Sequence, residues 1–209
     1  VFTLAYTSGT TGVPKGAVIT HKNSCAAIRT MAHEWRFQPD SVHMMHAPMF
    51  FAAGSGSRLH AVLRGSRCII MNYDADRALE TIENERVTHF SMTPSAISRI
   101  IDHPRVGDYD LGSVRQIGLI GAPHPTAEIK KVEEVFGHVW YSTWGMTETS
   151  TSGTVLQPED VALEGSLSPR LTSVGKAGIG MEMRVVDDTG NDVARDGKQT
   201  GEVILRGDA

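Results

Sequence analysis

Between residues 42 and 142 the sequence alternates between short β-prone runs and longer stretches with apolar residues at helical spacing. The β-prone runs fall at 42–47, 67–71, 89–92, 114–120 and 139–142, and the helix-like stretches at 54–63, 74–85, 94–101 and 125–136. Parallel strands need a crossover between them, and a helix is the usual one, so this alternation predicts an α/β fold: a mainly parallel sheet with helices on both faces. Asp74 and Thr93 stand where the second and third of these helices need N-caps. Ahead of them, β-prone segments at 1–6 and 16–20 lead into an amphipathic helix over 21–37, which Pro39 is expected to end. Beyond about residue 165 the pattern changes. Gly175, Gly178 and Gly180, a strand-like run over 181–187, an Asp188-Thr189-Gly190 turn and another run over 202–206 read as part of a β-rich subdomain. The expected division is 1–165 and 166–209.

Composition excludes several classes. With 40% hydrophobic and 21% charged residues the chain is neither disordered nor a coiled coil. A net charge of −4, with Lys and Arg scattered, provides no basic stripe for a phosphate backbone, so nucleic acid is not an expected partner. No apolar run approaches the ~20 residues of a membrane span. Cys25 and Cys68 lie in apolar settings without CxxC spacing and read as core thiols in a reducing cytoplasm.

The segment most informative about chemistry is Tyr6 to Gly16, YTSGTTGVPKG. Gly9, Gly12 and Gly16 let backbone approach a ligand closely. Thr7, Ser8, Thr10 and Thr11 add hydroxyls to the exposed amides, and Lys15 adds a point charge, a set suited to a triphosphate. It is not a Walker A loop, because Pro14 precedes Lys15 and Gly16 follows it, where Gly-Lys-Ser/Thr is required.

This segment, with His21 trailing it, resembles the phosphate-loop signature of the adenylate-forming superfamily: acyl- and aryl-CoA synthetases, amino-acid adenylation domains and luciferases. Trp144-Gly145-Met146-Thr147-Glu148 resembles that family's YGxTE element, and Gly121-Ala122-Pro123 its adenine-lining turn. Gly201 to Gly207, GEVILRG, resembles its GEIxxRG strand. The resemblance implies a nucleotide site of Thr7, Ser8, Gly9, Thr10, Thr11, Gly12, Lys15, Gly121, Ala122, Pro123, Thr143, Trp144, Gly145 and Thr147. Thr147, Glu148 and Lys15 would be catalytic, with Glu148 holding Mg²⁺. It also implies ATP and coenzyme A as substrates and an acyl-CoA synthetase activity on a carboxylic acid.

Residues 48–54 look like the family's PxFHxxG element, with Phe51 where an acyl-pocket His is usual. Phe51, Ala53, Ser57 and Met146 are thereby assigned to the acyl pocket, and Phe50 to core packing. Amino-acid adenylation is the rival chemistry. It needs a carboxylate to pair the substrate ammonium, and none occurs from Ala47 to Met71, which favours a plain acid: fatty, aromatic or small dicarboxylic. The family's ribose-binding Asp, its mobile C-terminal domain with the catalytic Lys and its N-terminal subdomain are expected to lie outside these 209 residues. The chain alone is then expected to be an inactive nucleotide-binding module; a pseudoenzyme parent is the disfavoured alternative, because Thr11, Lys15, Thr147 and Glu148 are all intact, and exposed sheet edges would favour homo-oligomers. His43 and His46 are expected on opposite faces of a strand, His124 as an exposed loop residue, and Glu133 and Glu134 on a solvated helix face.

Overall fold

The computed structural model describes residues 1–8 and 12–209, apart from the side chains of Ala52, Ala53, Ser55 and Ser57. A hairpin of β1 (Thr3–Thr7) and β2 (Lys15–Ile19) opens the chain, with Thr7 opposite Lys15 at its loop end. Helix α1 (His21–Glu34) starts from a reciprocal cap. Thr20 Oγ1 accepts the Asn23 amide at 3.1 Å while Asn23 Oδ1 accepts the Thr20 amide at 3.0 Å.

The α/β expectation holds. Strands β3 (Val42–Met45), β4 (Arg67–Ile70), β5 (His89–Met92), β6 (Gln116–Leu119), β7 (Trp140–Gly145), β8 (Gly153–Leu156) and β9 (Lys176–Ala177) form one sheet in the order 4-3-5-6-7-8-9. The first five are parallel, while β8 and β9 are antiparallel to their neighbours. The crossovers are α2 (Ala52–Arg64), α3 (Ala75–Asn84), α4 (Pro94–Ile101) and α5 (Thr126–Phe136).

Side chains two apart on a strand share a face, and this divides the core. Trp140 and Leu156 join Phe90, Ile117 and the inward residues of α3, α4 and α5; Tyr141 and Val155 join Met31, Trp35 and Phe37 on the other face. Asp74 caps α3, its Oδ1 accepting the Arg77 amide at 3.0 Å. Thr93 makes no such bond; Pro94 supplies the first-turn geometry of α4 instead. Helix α1 stops at Glu34, well before Pro39. Arg36 adopts φ 55°, and the Phe37 amide reaches back to Ala32 O, turning Trp35 and Phe37 into the core.

Residues 165–172 form a 3-10 segment whose Leu171 is buried in the larger core, and β9 pairs with β8. The separate two-stranded sheet, β10 (Met181–Val186) with β11 (Glu202–Gly207), therefore begins after this stretch. No helix among the described residues is long and apolar enough to cross a membrane. Cys25 is exposed and not a core thiol, because it lies on the outer side of α1, whereas its neighbours Ser24 and Ala27 face inward.

Candidate active site

β6 and β7 are adjacent and parallel, so the segments that follow them leave the same rim of the sheet. Past β6 comes Gly121, whose φ of 85° suits a residue without Cβ, then Ala122 and Pro123. Past Ser142 of β7 come Thr143, Trp144 and Gly145. These six residues line one cavity of about 410 Å³, with Ser173 and Val174 also lining it. The geometry thus brings together two sequence segments about twenty residues apart. Thr143 Oγ1 is committed to the sheet, donating to Thr154 O at 2.8 Å.

His124 lines this cavity too, and it is buried, not exposed as a loop histidine would be. Its Nδ1 lies 2.5 Å from Glu128 Oε1, while Ser98 Oγ donates to Glu128 Oε2 at 2.5 Å. Its Nε2 has no partner among the described residues. The four-residue spacing of His124 and Glu128 was the signal for this pair. Glu133 likewise is no solvated residue: its Oε1 accepts from Trp140 Nε1 at 2.7 Å, so the one fully buried Trp anchors it.

Beyond Gly145 the chain makes a tight 3-10 turn, Thr147–Thr149, followed by Ser150 at φ 51° and Thr151 at φ 67°. A β-branched residue in the left-handed region is an outlier, and each such residue costs about 1–3 kcal/mol. Hydrogen bonds fix the turn: Thr151 N to Met146 O and Ser152 N to Thr149 O, both 2.9 Å, and Met146 N to Thr149 Oγ1 at 3.2 Å. Gly145 is part of the same device, since a Cβ there would sit 2.3 Å from Thr151 O.

β2 packs against this 3-10 turn, which brings the strand of Lys15 beside Thr147 and Glu148. Lys15 and Glu148 are both exposed, and neither pairs with an oppositely charged side chain among the described residues. Ser8 and Gly12 are described, whereas Gly9, Thr10 and Thr11 between them lie outside the described residues. No group of three or more His, Cys, Asp or Glu is gathered for a metal among the described residues. Mg²⁺ does not need one, because it takes one or two carboxylates plus phosphate oxygens and water, and the free Glu148 carboxylate fits that donor set.

A second cavity, about 450 Å³, lies among the hairpin, α1, the start of α2 and the 3-10 turn. Thr147, Ser150 and Thr151 line it, as do Phe50 and Arg58. Phe50 is 82% exposed, its ring tilted against that of Phe51 with centroids 4.7 Å apart, so it is not a core residue; it precedes α2 on a turn that no other described apolar ring covers. Phe51 and Met146 are exposed and do not line this cavity, and the side chains of Ala53 and Ser57 lie outside the described ones.

On the face of α1 and α2, His43, His60 and His89 gather around Phe37, with His60 edge-on to Trp35 at 4.8 Å. Burial holds His43 and His60 neutral, with pKa values lowered to about 3, and His89 to about 4. His46 packs against Tyr73 and meets Ser91 O at 3.0 Å. His43, His60 and His89 are buried packing groups, and His60 also lines the second cavity.

Comparison with known proteins places this geometry. The family described as AMP-binding enzyme matches residues 1–209. A feruloyl-CoA synthase from Amycolatopsis is 32% identical over 206 residues, covering 98% of this chain and 40% of that protein. The 3-[(3aS,4S,7aS)-7a-methyl-1,5-dioxo-octahydro-1H-inden-4-yl]propanoyl:CoA ligase of Mycobacterium tuberculosis is 29% identical over 98% of this chain and 38% of its own length. The chain thus spans about two fifths of the curated relatives it matches. Among solved structures, the N-terminal domain of FACL13 from M. tuberculosis superposes with TM-score 0.85 at 28% identity, over 98% of this chain and 49% of that one. Apo MatB from Rhodopseudomonas palustris gives 0.85 at 26%, over 98% and 39%. The chain belongs to the AMP-binding enzyme family.

Proposed function

We propose that the full-length protein activates a carboxylic acid with ATP and passes the acyl group to coenzyme A. The observation that carries this reading is the convergence, at one rim of the sheet, of the Gly121–Pro123 turn, the end of β7 and the Thr147-Glu148 turn beside the strand of Lys15.

A carboxylate is a poor electrophile because its charge is delocalised and its oxide is a bad leaving group. In the proposed reaction a substrate carboxylate oxygen attacks the α-phosphorus of ATP in line, and the bond to pyrophosphate breaks. The sulfur of coenzyme A then attacks the acyl carbon and expels AMP. The cavity formed by Gly121, Ala122, Pro123 and Trp144 takes the adenine, with the indole available for stacking. Amides and hydroxyls of residues 7–12 and the ammonium of Lys15 hold the β- and γ-phosphates, and the Thr147 hydroxyl donates to the α-phosphate. Glu148 supplies the carboxylate for Mg²⁺, which when bound neutralises developing phosphate charge. Catalysis in this scheme is positioning plus electrostatics, which suits a turn pinned in a strained backbone.

The test is ATP–pyrophosphate exchange with the full-length protein over fatty, aryl, dicarboxylic and amino acids. Exchange that depends on one class of acid and falls at least a hundredfold in Glu148→Ala supports adenylation, that being the order of loss for a key electrostatic contact. ATP binding without exchange on any acid favours a nucleotide-binding module.

A further inference from the structure

Arg58 lies in α2 and lines the 450 Å³ cavity together with Thr147, Ser150 and Thr151 of the 3-10 turn. It makes no hydrogen bond or ion pair with any described residue. No Asp or Glu is among the described residues lining the cavity, whose other walls include Leu4, Ile28, Phe50 and Leu59. Elsewhere in the chain, Arg67, Arg86 and Arg115 each meet a carboxylate at 2.6 to 2.9 Å.

A guanidinium keeps its proton at any physiological pH, so beside apolar walls it is a charge lacking its counterion. Its planar fork matches a carboxylate by two parallel N–H···O bonds. A second observation points to the same cavity: Ser150 Oγ is buried without a partner among the described residues, on a residue held in the left-handed region. The cavity volume falls within the roughly 300–1,000 Å³ of small-molecule sites.

We propose that Arg58 receives a second carboxylate, at the far end of the acid from the one activated, so that the substrate class is a dicarboxylic acid. This rests on the adenylation reading above. The reacting carboxylate is not the partner, because both its oxygens would be tied down by the guanidinium when one must attack phosphorus beside Thr147. Thr147 and Arg58 stand on different elements of one cavity, the 3-10 turn and α2, which lets a single substrate engage both. The absence of any acidic residue from Ala47 to Met71 agrees, since the start of α2 then favours an anion over an ammonium.

The experiment measures acid-dependent ATP–pyrophosphate exchange by the full-length protein. Its substrates are α,ω-dicarboxylic acids of four to eight carbons and monocarboxylic acids of the same lengths, and its variants are Arg58→Met and Arg58→Lys. Circular dichroism and melting check that each variant folds. The wild type is expected to prefer a dicarboxylate, Arg58→Met to lower the dicarboxylate-to-monocarboxylate ratio of kcat/KM about tenfold to a hundredfold, and Arg58→Lys to restore part of it. Should Arg58→Met not fold, the wild-type preference and the Arg58→Lys ratio decide. A wild type that exchanges with monocarboxylates at least as well, with a ratio unmoved in the variants, overturns the dicarboxylate assignment and leaves adenylation standing. No exchange with any acid overturns adenylation, and this assignment with it.

Discussion

Nδ1 of His124 sits 2.5 Å from Oε1 of Glu128, at the lining of the cavity formed by the Gly121 turn and the end of β7. Both side chains are nearly excluded from solvent, and Ser98 holds the other carboxylate oxygen. Removing one member of such a buried pair strands the other. Glu128→Ala is therefore expected to lower stability by about 3–5 kcal/mol, and Ser98→Ala by about 1 kcal/mol, in urea denaturation. Equal losses for the two variants would mean the pair has no special weight.

At Gly145 a methyl group would meet the Thr151 carbonyl at 2.3 Å, and this neighbour is backbone that cannot swing aside. Gly145→Ala is expected to cost about 1–3 kcal/mol and to displace the Thr147-Glu148 turn. A lowered melting temperature accompanied by weaker ATP binding, read by calorimetry, is the anticipated pair of changes; unaltered nucleotide affinity would separate the turn from the site.

The three buried histidines give stability a definite pH dependence. His43 and His60 titrate near 3 and His89 near 4 in the folded chain, against about 6.5 when unfolded. Between these limits the unfolded state binds protons that the folded state refuses. Stability is then full above about pH 6.5 and declines as pH falls towards 4, by about 1.4 kcal/mol per pH unit for each histidine. Denaturation curves at pH 7.5, 5.5 and 4.5 check this, and His60→Phe should make the decline shallower by one proton.

Leu4, Tyr6 and Val18 are 54%, 72% and 56% exposed on one face of the β1–β2 hairpin, and Ile70 is exposed on the edge strand β4. The isolated 209-residue chain is expected to self-associate through such surface. Light scattering would show mass rising with concentration, and Leu4→Ser with Val18→Thr should reduce it. A monomer at high concentration would count against this.

The alternation of periods made the sheet and its helices legible, because parallel strands of four to six residues and helices of eight to fourteen leave distinct apolar spacings. The 94–101 helix shows this well: Ile97, Ile100 and Ile101 are all inward. What the sequence does not display is a partner far away along the chain. Whether Glu133 faces water depends on Trp140 arriving beside it, and whether Phe50 is covered depends on what the turn before α2 packs against. The reversal of β8 was hidden for the same reason, since strand direction leaves no mark on residue periodicity. In the site, the motif segments were readable because their glycines and hydroxyls are unusual in order. Arg58 and Ser150 were not, because a lone Arg on a helix and a Ser in a turn look ordinary until a cavity joins them.

The antiparallel return of β8 beside β7 has a consequence for how such a site can vary. A parallel strand delivers only its far end to the rim, and the chain must then travel across the sheet. Here it departs through Gly145 and comes back through Gly153, with the Ser142–Leu156 rung of the ladder closed deeper in the sheet. Residues 146–152 thus form a detachable rim cassette. Changes of length or side chain within it would recut the 450 Å³ cavity, which Thr147, Ser150 and Thr151 line, while the register of the sheet and the 410 Å³ cavity, whose β7 wall ends at Gly145, stayed fixed, so that one end of the site can vary while the other is kept.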